Sequence, residues 1–288
     1  MSQKKRSAAG GSRKRLLPAS LAFFLLVWAQ IPAILATPRC LLADSPYKEI
    51  AVRDGGTIRG FVRLNGTAAA DERFDVTKDP KQCGRAKLCP ALRVGKNGGV
   101  KNAVVYLEGV KEGKKFSGNM KPPLIQKNCE YEPHVMVVPA GAQLDIANND
   151  PILHNVHAYG IGEGLKSLFN IAQPIKGQRT CIKQTQLKDP GVVLTLCDAG
   201  HPWMTAYILV AEHPYYAVTD EGGNFVIENV PPGSYRITMW HEGVHILKKD
   251  MESGKVKKYH FEDPYVLTQE VGVPAGGTVD LKFDLALR

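Results

Sequence analysis

Apolar and polar positions alternate with a period of two along most of this chain. In "GTIRGFVRLNGT" (residues 56–67) Ile58, Val62 and Leu64 alternate with Thr57, Arg59 and Arg63, and Asn65-Gly66 closes the run with a turn. Similar short runs are "NAVVYLEGV", "HVMVVPAGAQLDIANND", "GVVLTLCDAG", "TAYILVAE", "NFVIENVPPGSYRITMW" and "TVDLKFDLAL", bounded by Gly, Pro and Asn. Helical periodicity is nearly absent after residue 43, so the pattern predicts an all-β protein. The Lys-rich stretch 247–264 reads as a solvated loop.

The N-terminus breaks this pattern. Lys4, Lys5, Arg6, Arg13, Lys14 and Arg15 precede the apolar run "LAFFLLVWAQIPAILA", which ends in small residues. That order is the one expected of a secretory signal peptide, with cleavage after Ala36 or Ala43, or of an uncleaved anchor whose basic flank stays in the cytoplasm. Both place the rest of the chain in the periplasm or another exported compartment. The net charge of +9 shrinks accordingly: without residues 1–36 the chain keeps 31 basic and 28 acidic side chains, a net +3. A nucleic-acid partner therefore has little electrostatic support. The 288 residues suffice for one large or two ordinary domains.

Export permits disulfides. Cys83, Cys89, Cys129 and Cys181 make an even set, Cys40 lies beside the processing site, and Cys197 stands apart on a short loop between two apolar runs, with His201 and Met204. Upstream, "DIANNDPILHNVHAYG" brings His154 just after a strand that ends at Asn148, Asn149, Asp150 and Pro151. Two imidazoles, one thiolate and a more distant thioether form the donor set of a blue-copper electron-transfer centre: sulfur suits Cu(I), imidazole suits both oxidation states, and a stiff β-sandwich limits ligand movement between them. His157, three residues beyond His154, falls on the opposite face of a strand and reads as structural or exposed.

"HNVHAYG" followed by "CDAGHPWM" resembles the copper motifs of the cupredoxins, and of their amicyanin-like members in particular. "YEPHVMVVPAGAQLDIANND" resembles the strand pair that leads to the first ligand, and "TAYILVAE" the closing strand. The resemblance covers roughly residues 128–212. It implies that His154, Cys197, His201 and Met204 bind one copper ion cycling between Cu(I) and Cu(II), and that Asn155 ties the two ligand loops together. His201 would form an electron exit within an apolar patch that Pro202 and Trp203 supply. Three residues, Asp198, Ala199 and Gly200, separate cysteine from histidine, where amicyanin-like loops have two. The implied partner is another redox protein, such as a cytochrome or a dehydrogenase, and the chain itself is then an electron carrier and not an enzyme.

"AVTDEGGNFVIENVPPGSYRITMWHEG" resembles carboxypeptidase regulatory-like, prealbumin-like sandwich modules, with Pro231 and Pro232 stiffening a turn at Gly233 and Phe225 and Tyr235 filling a core. Strands of that kind lie on both sides of the copper motifs. The expected architecture is thus two β-sandwiches behind the signal segment (1–43), a Greek-key cupredoxin-like one (119–212) inserted into a prealbumin-like one (50–118 and 213–288). Of the three connectivities open to four cysteines, Cys83–Cys129 with Cys89–Cys181 is expected, because it ties the N-terminal segment to both sides of the copper domain.

Two other functional classes stay open. An exported binding, structural or copper-storage protein could carry the same sandwiches without redox traffic. His241-Glu242-Gly243-Val244-His245 matches the H-E-x-x-H signature of zinc peptidases, but it follows a strand directly and contains a glycine, whereas that chemistry needs both histidines on one helical face. No acidic pair for glycoside hydrolysis can be placed, and no second Cys-His-Met loop supports a copper oxidase or nitrite reductase.

Overall fold

The computed structural model describes residues 47–67, 72–117, 123–162 and 164–288. The expected signal peptide or anchor over residues 1–43 lies outside these described residues. Strand alternation decides which side of each strand is buried. In strand Gly56–Asn65, Ile58, Val62 and Leu64 face inward while Arg59, Arg63 and Asn65 are exposed. The described residues form two β-sandwiches.

In the first sandwich, a five-stranded sheet runs in the order Gly164–Gln173, His154–Gly162, Gly191–Leu196, Thr205–Ala211, Val135–Pro139. It faces a four-stranded sheet of Arg179–Ile182, Leu144–Asn148, Pro123–Lys127 and Glu130–Glu132. Leu124, Leu144, Ile146 and Ile182 from one sheet meet Val156, Val193, Ala206 and Ile208 from the other in a common core. In the second sandwich, Tyr216–Val218, Val104–Leu107, Gly233–His241 and Tyr265–Val273 make one sheet, and Asn224–Val230, Gly56–Asn65 and Thr278–Ala286 make the other. Val105, Leu107, Ile237, Phe225 and Phe283 fill the space between them.

The two sandwiches share a joint. Val135 and Tyr207 of the first pack on Val104 and Trp240 of the second, with the Tyr207 and Trp240 rings 5.2 Å apart. Strand Thr205–Ala211 is therefore covered on both faces, which explains its nearly unbroken apolar sequence. The described residues belong to one compact unit.

Two segments differ from expectation. Residues 247–264 do not make a solvated loop: Ile246–Glu252 pairs with Lys255–Phe261 as an antiparallel hairpin. Its Tyr259 is buried in the first core, 4.5 Å from the Phe74 ring. Ion pairs such as Lys248–Asp250 and Lys257–Glu252 hold the charge run to its own strands. The second is a strap between Gly56–Asn65 and Val104–Leu107, in which Arg73–Asp75 pairs with Ala86–Leu88 around the short helix Pro80–Cys83. Although the expected boundaries group it with residues 50–118, Phe74, Cys83, Cys89 and Ala91 enter the core of the first sandwich.

Cys83 is bonded to Cys129. The expected Cys89–Cys181 bridge is a correction, because Cys89 carries a free, buried thiol. In Arg179–Ile182 the alternation turns Ile182 into the core and Cys181 to the exposed face, away from the core that holds Cys89.

If the strap completes the first core, Phe74→Ala should destabilise the protein by about 3–5 kcal/mol. Chemical denaturation followed by Trp203 fluorescence would measure this. A loss like that of an exposed aromatic would place Phe74 outside the core.

Candidate metal centre

The strand Leu144–Asn148 ends in a turn that the buried Asn148 closes. Its Nδ2 donates to the carbonyls of Ile152, at 2.9 Å, and Gln173, at 2.7 Å, while its Oδ1 accepts the Asp150 N–H at 2.9 Å. This turn aims the Asp150 carboxylate at three partners. Oδ1 accepts the Asn128 N–H at 2.8 Å, and Oδ2 accepts the Cys129 N–H at 2.7 Å and lies 2.9 Å from His154 Nε2. Burial opposes the charge on Asp150, but the hydrogen bonds from His154, Cys129 and Asn128 outweigh it, and its pKa falls to about 2. An ionised carboxylate only accepts, so His154 donates from Nε2, and in the neutral ring the lone pair then lies on Nδ1. That Nδ1 is buried and has no hydrogen-bond partner.

Cys197 follows strand Gly191–Leu196, and the loop behind it is closed by two backbone bonds, Cys197 N–H to Met204 O at 3.3 Å and Met204 N–H to His201 O at 2.9 Å. Gly200 turns the loop with φ +95°, and a Cβ there would lie 2.6 Å from Lys78 Cδ. Asn155, on the strand that begins with His154, accepts the Ala199 N–H on its Oδ1 at 2.8 Å and is oriented by Asn170 at 2.8 Å. It thereby joins the two loops.

One ligand atom from each of His154, Cys197 and His201 lies within 4.8 Å of the other two. Cys197 Sγ is 3.7 Å from His201 Nδ1, and the two imidazole rings are 4.7 Å apart. His201 Nε2 meets Asp79 Oδ2 at 3.0 Å. Burial holds the His201 pKa at about 4 against the pull of Asp79. The neutral ring donates to Asp79 and, like His154, presents Nδ1 inward. Burial raises the pKa of the Cys197 thiol, while backbone N–H groups of Asn155, Ala199 and His201 act to lower it. Met204 is fully buried in the same core as Cys197.

A second cluster, Cys129, Asp150 and His154, is equally compact. Its sulfur is committed to the bond with Cys83, so it offers no thiolate. The expected exit patch does not form: His201 and Trp203 are buried, and only Pro202 is partly open. The Trp203 indole N–H is drawn inward to the Cys129 carbonyl at 3.0 Å, and Asp79 caps the outer edge of His201. His157 lies outside the cluster, bonded to Asp198 at 2.5 Å and to Ser167 at 2.8 Å and stacked on Tyr159.

The zinc-peptidase arrangement is absent. His241 ends strand Gly233–His241 with Nδ1 bonded to the Glu242 carbonyl at 2.8 Å, and Glu242 is buried in an ion pair with His134. The glutamate is thus unavailable as a general base. Asp79 and Asp150 are the site residues that sequence reading missed. Asp150 stood within the quoted motif, four positions before His154, but nothing local marks Asp79 as its counterpart.

The family model described as "Polysaccharide lyase family 4, domain II" matches residues 193–257, a span that crosses from the first sandwich into the second. This description differs from the regulatory-like module expected for the outer sandwich. No curated protein matches the chain. Among solved structures it is similar to a purple cupredoxin from Nitrosopumilus maritimus, at 21% identity, 32% of this chain, 100% of that one and TM-score 0.27. It is also similar to a Cu-containing nitrite reductase from Thermus scotoductus SA-01, at 21% identity, 35% of this chain, 24% of that one and TM-score 0.26. A reduced auracyanin from the photosynthetic bacterium Roseiflexus castenholzii is a third, at 16% identity, 33% of this chain, 99% of that one and TM-score 0.28.

The buried ring sets a pH dependence. An unfolded imidazole titrates at about 6.5 and an unfolded aspartate at about 3.9. His201 at about 4 therefore makes the unfolded chain the better proton acceptor below neutrality, so the metal-free protein should lose stability as pH falls from about 6.5 toward 4. Asp150 adds a further loss as the pH drops through the carboxylate range toward about 2. Urea midpoints of the metal-free protein at pH 7.5, 5.5 and 4 should decline in that order, and a flat series would contradict a neutral buried His201.

Proposed function

We propose that this chain is an exported mononuclear copper protein that carries single electrons between redox partners. The observation that supports it most is the donor set: one buried thiol and two buried imidazoles converge, each ring with its Nε2 on a carboxylate and its Nδ1 toward the cluster. Leaving a polar atom such as His154 Nδ1 buried and unpartnered costs about 1–3 kcal/mol, so a cation that accepts its lone pair fits the site. A thiolate with two imidazoles suits copper better than the oxygen-preferring cations.

In this reading His154, Cys197 and His201 hold the metal and Met204 supplies a weak thioether. Copper, when bound, supplies a one-electron couple between Cu(I) and Cu(II). The residues around it contribute rigidity. Asn155 locks one ligand loop to the other, the Met204 and His201 backbone bonds close the cysteine loop, and core packing excludes water. Little ligand movement means little reorganisation when the charge changes.

Residues 119–212 then form the body of the copper module, inserted between strands of a regulatory-like sandwich drawn from residues 50–118 and 213–288, whose strap and Ile246–Phe261 hairpin reach into the copper module's core. The Cys83–Cys129 bond fits an oxidising compartment, in line with the N-terminal export signal. Among the described residues no helix is long and apolar enough to cross a membrane. The partner would be another redox protein, such as a cytochrome or a dehydrogenase.

Titration of the protein with Cu(II) should give one equivalent of binding and an intense visible band that disappears on reduction. Cys197→Ala should abolish the band. Met204→Leu should keep the copper and raise its potential at a stability cost below about 1.5 kcal/mol, since the two side chains are close in volume. An unchanged spectrum in Cys197→Ala, or copper that follows His241 and His245, would overturn this function.

A further inference from the structure

We infer that Asp79, carried on the strap outside both ligand loops, is a positioning residue that fixes the tautomer of His201 and closes the copper site, and that the Cys83–Cys129 bond holds it there. The inference rests on the copper reading above, though its first consequence concerns the metal-free protein.

Asp79 sits at the N-cap of helix Pro80–Cys83, where an aspartate ordinarily accepts a backbone N–H of the first turn. Here its side chain makes no capping bond. The carboxylate is directed instead to His201 Nε2, at 3.0 Å. The backbone of Asp79 is left-handed, φ 50° and ψ 46°, a conformation that L-residues adopt at some energetic expense and that persists where surrounding contacts enforce it. Those contacts are present. The Gln82 and Cys83 N–H groups both donate to the Asp79 carbonyl at 2.9 Å, and Lys78 donates to the Ala199 carbonyl on the ligand loop itself.

The same helix ends in Cys83, whose disulfide partner Cys129 donates its N–H to Asp150, the anchor of His154. Gln82 reaches Asp150 directly, Nε2 to Oδ1 at 3.3 Å. One covalent bond thus couples the two carboxylates that orient the two imidazoles. Each carboxylate selects the Nε2–H tautomer and frees Nδ1 for the metal, and the added negative charge makes the imidazole a stronger donor to Cu(II). With His201 covered, external ligands meet the strap before they meet the ring.

The test uses the full chain with Asp79→Asn, which keeps an acceptor and tolerates the left-handed backbone, and Asp79→Gly, which removes the side chain and the backbone strain together. Long-range 1H–15N NMR of the metal-free protein should show His201 as the Nε2–H tautomer in the native chain and in Asp79→Asn, and a mixture of tautomers in Asp79→Gly. Copper affinity should fall on the order of 10- to 100-fold in Asp79→Gly, the range typical for removing an outer partner of a metal-bound histidine. Azide should perturb the Cu(II) spectrum of Asp79→Gly but not that of the native protein. The copper potential should rise in both variants. An Nε2–H tautomer that survives unchanged in Asp79→Gly, or native copper affinity and azide resistance in that variant, would overturn the role of Asp79. A native protein that takes up no copper would instead overturn the copper reading, and the tautomer result would still decide the inference.

Discussion

Two imidazoles and a thiol buried side by side are tolerable only if the outer nitrogen of each ring is satisfied, because an unpaired polar group in a protein core costs about as much as a lost hydrogen bond. Asp150 and Asp79 meet that condition for His154 and His201. With both Nε2 atoms donating outward, each neutral ring keeps its lone pair on Nδ1, and the site gains its directional character before any metal binds. The Asn148 turn, the Asn155 bridge and the closed cysteine loop all serve to keep these few atoms within reach of one another.

This dependence gives the second sandwich a task that a spacer would not have. The strap that carries Asp79 leaves the strand Gly56–Asn65 and returns to Val104–Leu107, both within the second sandwich. The hairpin Ile246–Phe261 comes from that sandwich too and lays Tyr259 against Phe74 of the strap. A segment that leaves and re-enters one module therefore carries the outer anchor of a candidate site whose inner residues belong to the other. The Cys83–Cys129 bond and the burial of Phe74, Cys83, Cys89 and Ala91 in the first core make this workable, since they hold the anchor beside its histidine.

Much of the architecture was legible from period-two alternation, which decided both the strands and their buried faces. The residues His154, Cys197 and His201 stood out because two imidazoles and a thiol fall on turns and loops beside strands, and the structure brings their candidate ligand atoms together. The strap was not legible. Arg73–Asp75 and Ala86–Leu88 are too short to show a period, and the contact between Asp79 and His201 spans 122 positions with no local signature. The Lys-rich hairpin failed for a different reason: charge concealed the inward residues, Tyr259 among them, that alternate with the lysines. The exit patch failed because the resemblance covers the loop but not the strap that closes over it here. The Cys89–Cys181 pair failed because connectivity depends on the facing of each side chain, which counting cannot supply.

The two candidate metal motifs in this sequence show why spacing carries chemistry only together with conformation. On a helix, residues four apart are about one turn and 6 Å from each other along the axis, and their side chains can share an ion. On an extended chain the same four steps span roughly 13 Å. His241 ends a strand, and Gly243 passes so close to the Glu262 carbonyl that a Cβ there would lie 1.9 Å from its oxygen, so the segment is packed against its neighbour and has no room to coil. His245 is consequently held by its backbone to Glu262, at 3.1 Å. Cys197 and His201 are also four apart, but their loop reverses through Gly200 and is pinned by the bonds among Cys197, His201 and Met204, which folds the intervening residues back. The sulfur and the imidazole nitrogen end 3.7 Å apart. The same sequence interval thus gathers one pair of candidate ligands, and the reversal at Gly200 makes this possible.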